Sequence, residues 1–336
     1  FGVDSDLVPT GHAIAWYDKR ASVEAEQLSR LGDFAARTGN AISPTLTAAK
    51  WLWLHRHRRQ QLDAAHCWVT MTDFPAVWWS GRPFMSCSLA PRTACYDIHQ
   101  RQWIAELLEA THAPPLPPVR GAGQIVGGVR RGRLLESGAA SAKTIIAAGG
   151  HDHPVAATTI RRFDPTARVD SLGTANLIYG ETDTLAGRQP GNLLAYSIPP
   201  SAAEGIACLG VHELTVAVAA VEGDAASFRS YLATTRLPGS PPATAGDLNA
   251  PTGGRDAVIR RSLETASLEC RRMLDAMDRA GVPRGAIYTT GGWSRSRAFV
   301  ELRASIFGEP ITVVDDMELT AIGAALFAAE AATGKS

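Results

Sequence analysis

A strand-like apolar run, Lys143-Thr-Ile-Ile-Ala-Ala148, ends in Gly149-Gly150 and delivers His151-Asp152-His153 where the strand would stop. Paired glycines let the backbone turn without a Cβ clash, and in open α/β sheets the ligand crevice lies beyond the carboxyl ends of the strands. Asp152 therefore stands where a carboxylate serves either as a helix cap or as a base. Two further junctions share the pattern. Val169-Asp-Ser-Leu-Gly-Thr174 precedes the strand-like Asn176-Leu-Ile-Tyr179, and its Gly173-Thr174 turn is of a kind whose amides hold phosphate oxygens or simply reverse the chain. Ala286-Ile-Tyr-Thr-Thr290 empties into Gly291-Gly292-Trp293-Ser294-Arg295, with a helix expected next.

Composition bounds the partners. A chain of 336 residues with 45% hydrophobic content has room for two packed α/β domains. Its 33 basic and 33 acidic residues balance, which argues against a nucleic-acid footprint or an anionic membrane surface, so any phosphate site must be local. Five cysteines, Cys67, Cys87, Cys95, Cys208 and Cys270, lack C-x-x-C spacing and fit reduced thiols of a cytoplasmic protein. No run is long and apolar enough to cross a bilayer. His151-Asp152-His153 is not read as a metal centre, because three consecutive residues cannot all face one ion.

Helical spacing covers residues 21–38 and 44–59, the latter with a basic end, His55-Arg-His-Arg-Arg59, that suits a helix carboxyl terminus. Pro114-Pro115-Leu116-Pro117-Pro118 reads as a stiff surface connector. A domain boundary is expected near Asp164-Pro165, a buried strand over 211–221 and a Pro/Gly-rich loop over 238–254. Val258, Ile259, Leu263, Ala266, Cys270, Met273, Leu274 and Met277 recur at helical spacing between 257 and 280, so one face of that helix packs inward. Asp315 and Glu318 favour a helix start before residues 319–332.

In their order, the three junctions resemble the FGGY family of carbohydrate kinases, within the actin-like ATPase superfamily. Trp16-Tyr-Asp-Lys-Arg20 is similar to the family's W-x-D-x-R segment and Thr45 to Leu54 (TLTAAKWLWL) to its T-x-x-K-x-x-W-L helix. Trp68 to Phe74 and Ala90 to Trp103 resemble the stretches that follow, and Glu318-Leu-Thr-Ala-Ile-Gly-Ala-Ala325 resembles the family's closing helix. The resemblance implies a two-domain actin-like (ribonuclease-H-like) ATPase fold. Residues 1–164 would be the sugar-binding domain and residues 165–336 the nucleotide-binding domain. The family opens with an Asp-x-Gly-Thr strand that has no counterpart before Trp16, so the first domain is expected to be incomplete, that of an amino-terminally shortened member.

The resemblance further implies phosphorylation of a sugar or polyol hydroxyl by ATP with Mg2+, in an interdomain cleft, with Asp152 as catalytic base. Trp16, Asp18, Arg20, His151 and His153 are expected on the sugar side. Gly173, Thr174, Gly291, Gly292, Ser294 and Arg295 are expected to hold the nucleotide. Trp16, Asp18 and Arg20 either contact the sugar or only form the wall around it. The small-molecule substrate would be the main partner, with a homodimer plausible by analogy. A second reading, a non-catalytic relative that binds a sugar or a protein, rests on the absent Asp-x-Gly-Thr strand and on Arg303-Ala-Ser, which stands where the family usually shows Ala-Asp.

Overall fold

The computed structural model describes residues 1–173, 175–186, 193–212, 214, 255–314 and 318–334, without the side chains of residues 255–259. Thr174, Asp315, the loop over 238–254, most of the expected strand over 211–221 and the side chains of Val258 and Ile259 lie outside the described residues.

The chain forms two compact units that are not consecutive stretches. Residues 1–159, 196–206 and 319–336 make one, and residues 160–195 and 207–318 make the other. The closing helix Leu319–Thr333 thus belongs with the first unit. Gly323 lets it lie against the helix Asp152–Arg161, since a Cβ there would come within 2.4 Å of the Val155 carbonyl oxygen. Phe327 then packs with Val155 and Ala122 in a small apolar cluster.

In the first unit, two expected helices are each broken. The segment 21–38 forms Ser22–Ser29 and Ala35–Thr38, interrupted around Gly32, where the Asp33 carboxylate accepts the Ala35 amide instead of allowing the helix to continue. The segment 44–59 forms Thr47–His57 and restarts at Arg59–Asp63, because Arg58 takes φ −147°, outside the helical range. The helix Thr47–His57 buries Ala48, Ala49, Lys50, Trp51, Leu52 and Leu54. The proline run is irregular, as it must be, but it is no loose connector. Pro114 and Pro117 are buried, and the Pro115 and Pro118 carbonyls accept the Trp68 and Met85 amides.

The strand Ile145–Ala147 pairs antiparallel with Ile125–Gly128, and Val126 and Ile146 enter a core with Val3, Val69, Val77 and Phe84. That pairing fixes where the strand stops, and Gly149-Gly150 then turns the chain into the helix Asp152–Arg161.

The second unit is built on a sheet in which Ile206–His212, Asn176–Thr182, Arg168–Leu172, Ile287–Thr290 and Ile311–Val313 lie side by side in that order. Arg168–Leu172 runs antiparallel to Asn176–Thr182 and parallel to Ile287–Thr290. Its central strands are buried almost throughout, as in sheets covered on both faces. On the long helix Arg255–Ala280, Leu263, Ala266, Cys270, Met273, Leu274 and Met277 are buried, the apolar face that the spacing predicts.

Arg303, on the helix Arg297–Phe307, is fully buried, and its Nε and Nη2 donate to Asp170 Oδ2 at 3.1 and 2.7 Å. Asn176 Nδ2 donates to the other Asp170 oxygen at 2.6 Å, and the Arg303 guanidinium sits over the Phe299 and Phe307 rings. The residue that reads as a departure from the family in sequence is a packed structural ion-pair partner. Truncation of Arg303 to Ala leaves Asp170 buried and unpaired, so chemical denaturation should register a loss of about 3–5 kcal/mol. Adding Asp170→Asn to an Arg303→Met variant should recover part of that loss.

Candidate active site

In the first unit, Ser88 secures the turn that leads to Asp152. The buried Ser88 hydroxyl accepts the His151 amide at 3.0 Å, and a Cβ at Gly150 would lie 2.8 Å from that same oxygen. Asp152 opens its helix with its side chain 60% exposed. Its Oδ1 accepts the amide of His153 at 2.9 Å and lies 3.5 Å from His151 Nε2. An N-cap side chain would reach an amide two or three residues on, and Asp152 makes no such bond among the described residues. Its carboxylate is held at one oxygen while the group as a whole faces outward.

His151 differs from its neighbour. Burial pushes its imidazole down to about 4 against the opposing pull of Asp152, with Arg92 and His153 adding to the drop. It is therefore neutral near pH 7. Arg92 is itself anchored through Nη1 to Asn40 Oδ1 at 3.0 Å, and Asn40 Nδ2 donates to the carbonyls of Thr38, Pro91 and Tyr196. Ser88, Arg92 and Asn40 were not singled out from sequence. Their only signal there is membership of ordinary polar turns, because all but the Asn40–Thr38 contact span 51 to 156 positions of chain.

Trp16 and Tyr17, each 64% exposed, meet edge to face at 5.6 Å. Behind them Arg20 grips Asp18 with contacts of 2.6, 2.9 and 3.0 Å, and those bonds pull the Asp18 carboxyl down to about 2. Arg20 also lies over the Trp53 ring at 5.0 Å. Among the described residues, no hydrogen bond or ion pair joins residues 16–20 to residues 151–153.

In the second unit, the parallel register pairs Thr290 with Ser171, so the Gly291 and Gly173 turns leave the same end of the sheet. Gly291 adopts φ +99°, and a Cβ there would come within 2.5 Å of the Leu172 carbonyl oxygen. The demand for glycine at 291 thus comes from the neighbouring strand. Gly292 has nothing within 4 Å of where a Cβ would stand, which leaves its backbone open to a ligand. The buried Ser294 donates its hydroxyl to the Gly291 carbonyl at 2.7 Å, so it braces the turn, while Arg295 is exposed. Gly173 closes its turn through a 3.2 Å bond to the Ala175 carbonyl. Among the described residues there is no group of three or more His, Cys, Asp or Glu arranged to hold a metal ion, and no helix long and apolar enough to cross a membrane.

Residues 1–159 match the family model of the FGGY carbohydrate-kinase N-terminal domain, and residues 171–332 match that of the C-terminal domain. The chain belongs to the FGGY family of carbohydrate kinases. As a member it is a phosphotransferase that acts on an alcohol group. It is 27% identical over 352 residues to a glycerol kinase from Trichlorobacter lovleyi, covering 95% of this chain and 71% of that protein. It is 25% identical over 353 residues to a xylulose kinase from Streptomyces rubiginosus, covering 99% and 72%. Among solved structures, the xylulose kinase from Rhodospirillum rubrum superposes with a TM-score of 0.79 at 20% identity, over all of this chain and 74% of that one. The Plasmodium falciparum glycerol kinase with ADP gives 0.76 at 17%, over 95% and 70%. These likenesses establish the two-domain actin-like ATPase fold for this FGGY kinase.

The neutral His151 gives this FGGY kinase a signature in its stability. Between pH 6.5 and 4 the unfolded chain protonates this histidine while the folded one does not, so acidification across that window favours unfolding. The loss is on the order of 3 kcal/mol when complete. Denaturation at pH 7 and pH 4.5 should show a His151→Asn variant lacking that share of the acid sensitivity.

Proposed function

We propose that this FGGY kinase transfers the γ-phosphoryl group of ATP to a hydroxyl of a sugar or polyol, with Asp152 as general base. The observation that carries the reading is the Asp152 carboxylate: exposed at a helix start, held at Oδ1 by the His153 amide, and with no hydrogen bond at Oδ2 among the described residues. In this reading the acceptor hydroxyl gives its proton to Asp152 as its oxygen attacks the γ-phosphorus, and the bond to the β,γ-bridging oxygen of ATP breaks. Neutral His151 adds no positive charge beside the carboxylate.

The open backbone at Gly292 fits close approach of a nucleotide, and the Gly173 turn together with the outward Arg295 fits phosphate oxygens. Ser294 is spent on bracing Gly291 and is not assigned to the nucleotide. Mg2+ would enter bound to the ATP phosphates. Trp16 would lie against the apolar face of the sugar, and Asp18, kept ionised by Arg20, would accept sugar hydroxyls. ATP as donor, with five cysteines that are free and buried, fits a cytoplasmic enzyme.

Glycerol and D-xylulose are the first acceptors to screen, by acceptor-dependent release of ADP. Asp152→Asn should lower kcat by roughly 10²-fold or more with ATP affinity retained. Comparable turnover in that variant removes Asp152 from the role of base.

The two glycines of the 291–292 turn should separate cleanly. Gly292→Ala, entering open space, should keep the fold and weaken ATP alone. Gly291→Ala, strained at its φ and against Leu172, should lower stability by about 1–3 kcal/mol or more in a thermal melt.

A further inference from the structure

We infer that Lys50 is a positioning residue for the Trp16–Arg20 segment: its buried ammonium holds that segment by its backbone and so sets the face it turns to the acceptor. The inference rests on the reading that Trp16 and Asp18 meet the sugar. Lys50 points inward from the helix Thr47–His57 and is only 5% exposed, flanked by the fully buried Ala49 and Trp51. A charge in such a place needs partners. Its hydrogen bonds go to two main-chain carbonyls, Ala15 at 2.8 Å and Trp16 at 3.4 Å. Asp18, the carboxylate whose charge acts on it, is already gripped by Arg20.

Residues 12–20 contain no helix or strand, and the main-chain bond within them is Asp18 amide to Ala15 carbonyl. With no ladder to locate it, the segment takes its position from side-chain anchors. Two come from one helix face. Lys50 takes the segment at Ala15 and Trp16, and Trp53, three residues on and therefore on the same side, takes it at Arg20. Between these anchors Trp16 and Tyr17 project into solvent. An ammonium satisfies carbonyls that methionine, of nearly equal length, cannot, so the function of the position is donation rather than bulk.

The test uses the full chain with Lys50→Met, Lys50→Arg and Trp16→Ala. Amide hydrogen exchange read by mass spectrometry should rise about tenfold or more over residues 13–22 in Lys50→Met, with residues 152–161 unchanged and Lys50→Arg retaining much of the protection. With glycerol or D-xylulose as acceptor, Lys50→Met should raise acceptor KM about tenfold while kcat and the KM for ATP stay within about threefold. Unchanged exchange over 13–22 overturns the inference, as does exchange that rises equally throughout the first unit, which would make Lys50 a general fold residue. If Trp16→Ala raises acceptor KM and Lys50→Met does not, positioning by Lys50 is overturned. If Lys50→Met loosens the segment but neither variant moves acceptor KM, the anchor stands and the acceptor reading of Trp16 falls instead.

Discussion

Asp170 is the point on which the second unit turns. Its two oxygens engage Arg303 and Asn176, its carbonyl takes the Thr289 hydroxyl, and Asn176 in turn meets Cys270 of the long helix. One residue, with Asn176 as its relay, thus links three strands and two helices. Hydrophobic burial alone would tolerate small slides among those elements, whereas a buried ion pair has one arrangement in which its charges are satisfied. Two positions earlier on the same strand, Arg168 is equally buried and engages Asp278 along with the carbonyls of Val282 and Pro283. A strand carrying two charges of opposite sign, each answered from a different helix, cannot shift register without exposing both.

What the sequence made legible is what short range determines. The strands that end in glycines, the inward face of the helix Arg255–Ala280 and the helix that starts at Asp152 all follow from neighbours a few residues apart. The turns at Gly173 and Gly291 were legible as turns, but their adjacency required the parallel pairing of strands more than a hundred residues apart. Buried charge was illegible for the same reason. Nothing near Arg303 announces Asp170, 133 positions away, and a lone lysine inside an apolar helix reads as a solvated residue until its carbonyl partners are seen. The helices expected at 21–38 and 44–59 run long because amphipathic spacing continues through Gly32 and Arg58, whereas the chain leaves helical geometry before Gly32 and at Arg58. The return of the last helix to the first unit is a tertiary fact that no local pattern carries.

His151 and Asp152 show how far neighbouring residues can diverge electrostatically. One imidazole, largely covered with its side chain 24% exposed, is pushed down to about 4, and the next side chain is mostly in solvent. A helix start accomplishes this, since the chain enters from the interior and its first side chain emerges. The resulting pair sets a neutral imidazole beside an exposed carboxylate.

The steric contact between Gly291 and Leu172 has a consequence for how such a chain can vary. Because the two turns are set by one parallel register, with Thr290 opposite Ser171, losing or gaining a single residue in either strand would displace one turn from the other by about 3.3 Å. It would also invert which side chains face the core. Length changes here are therefore tolerated only when both strands change together, so the two turns form one inheritable block, and diversity in this unit must accumulate in its connecting loops.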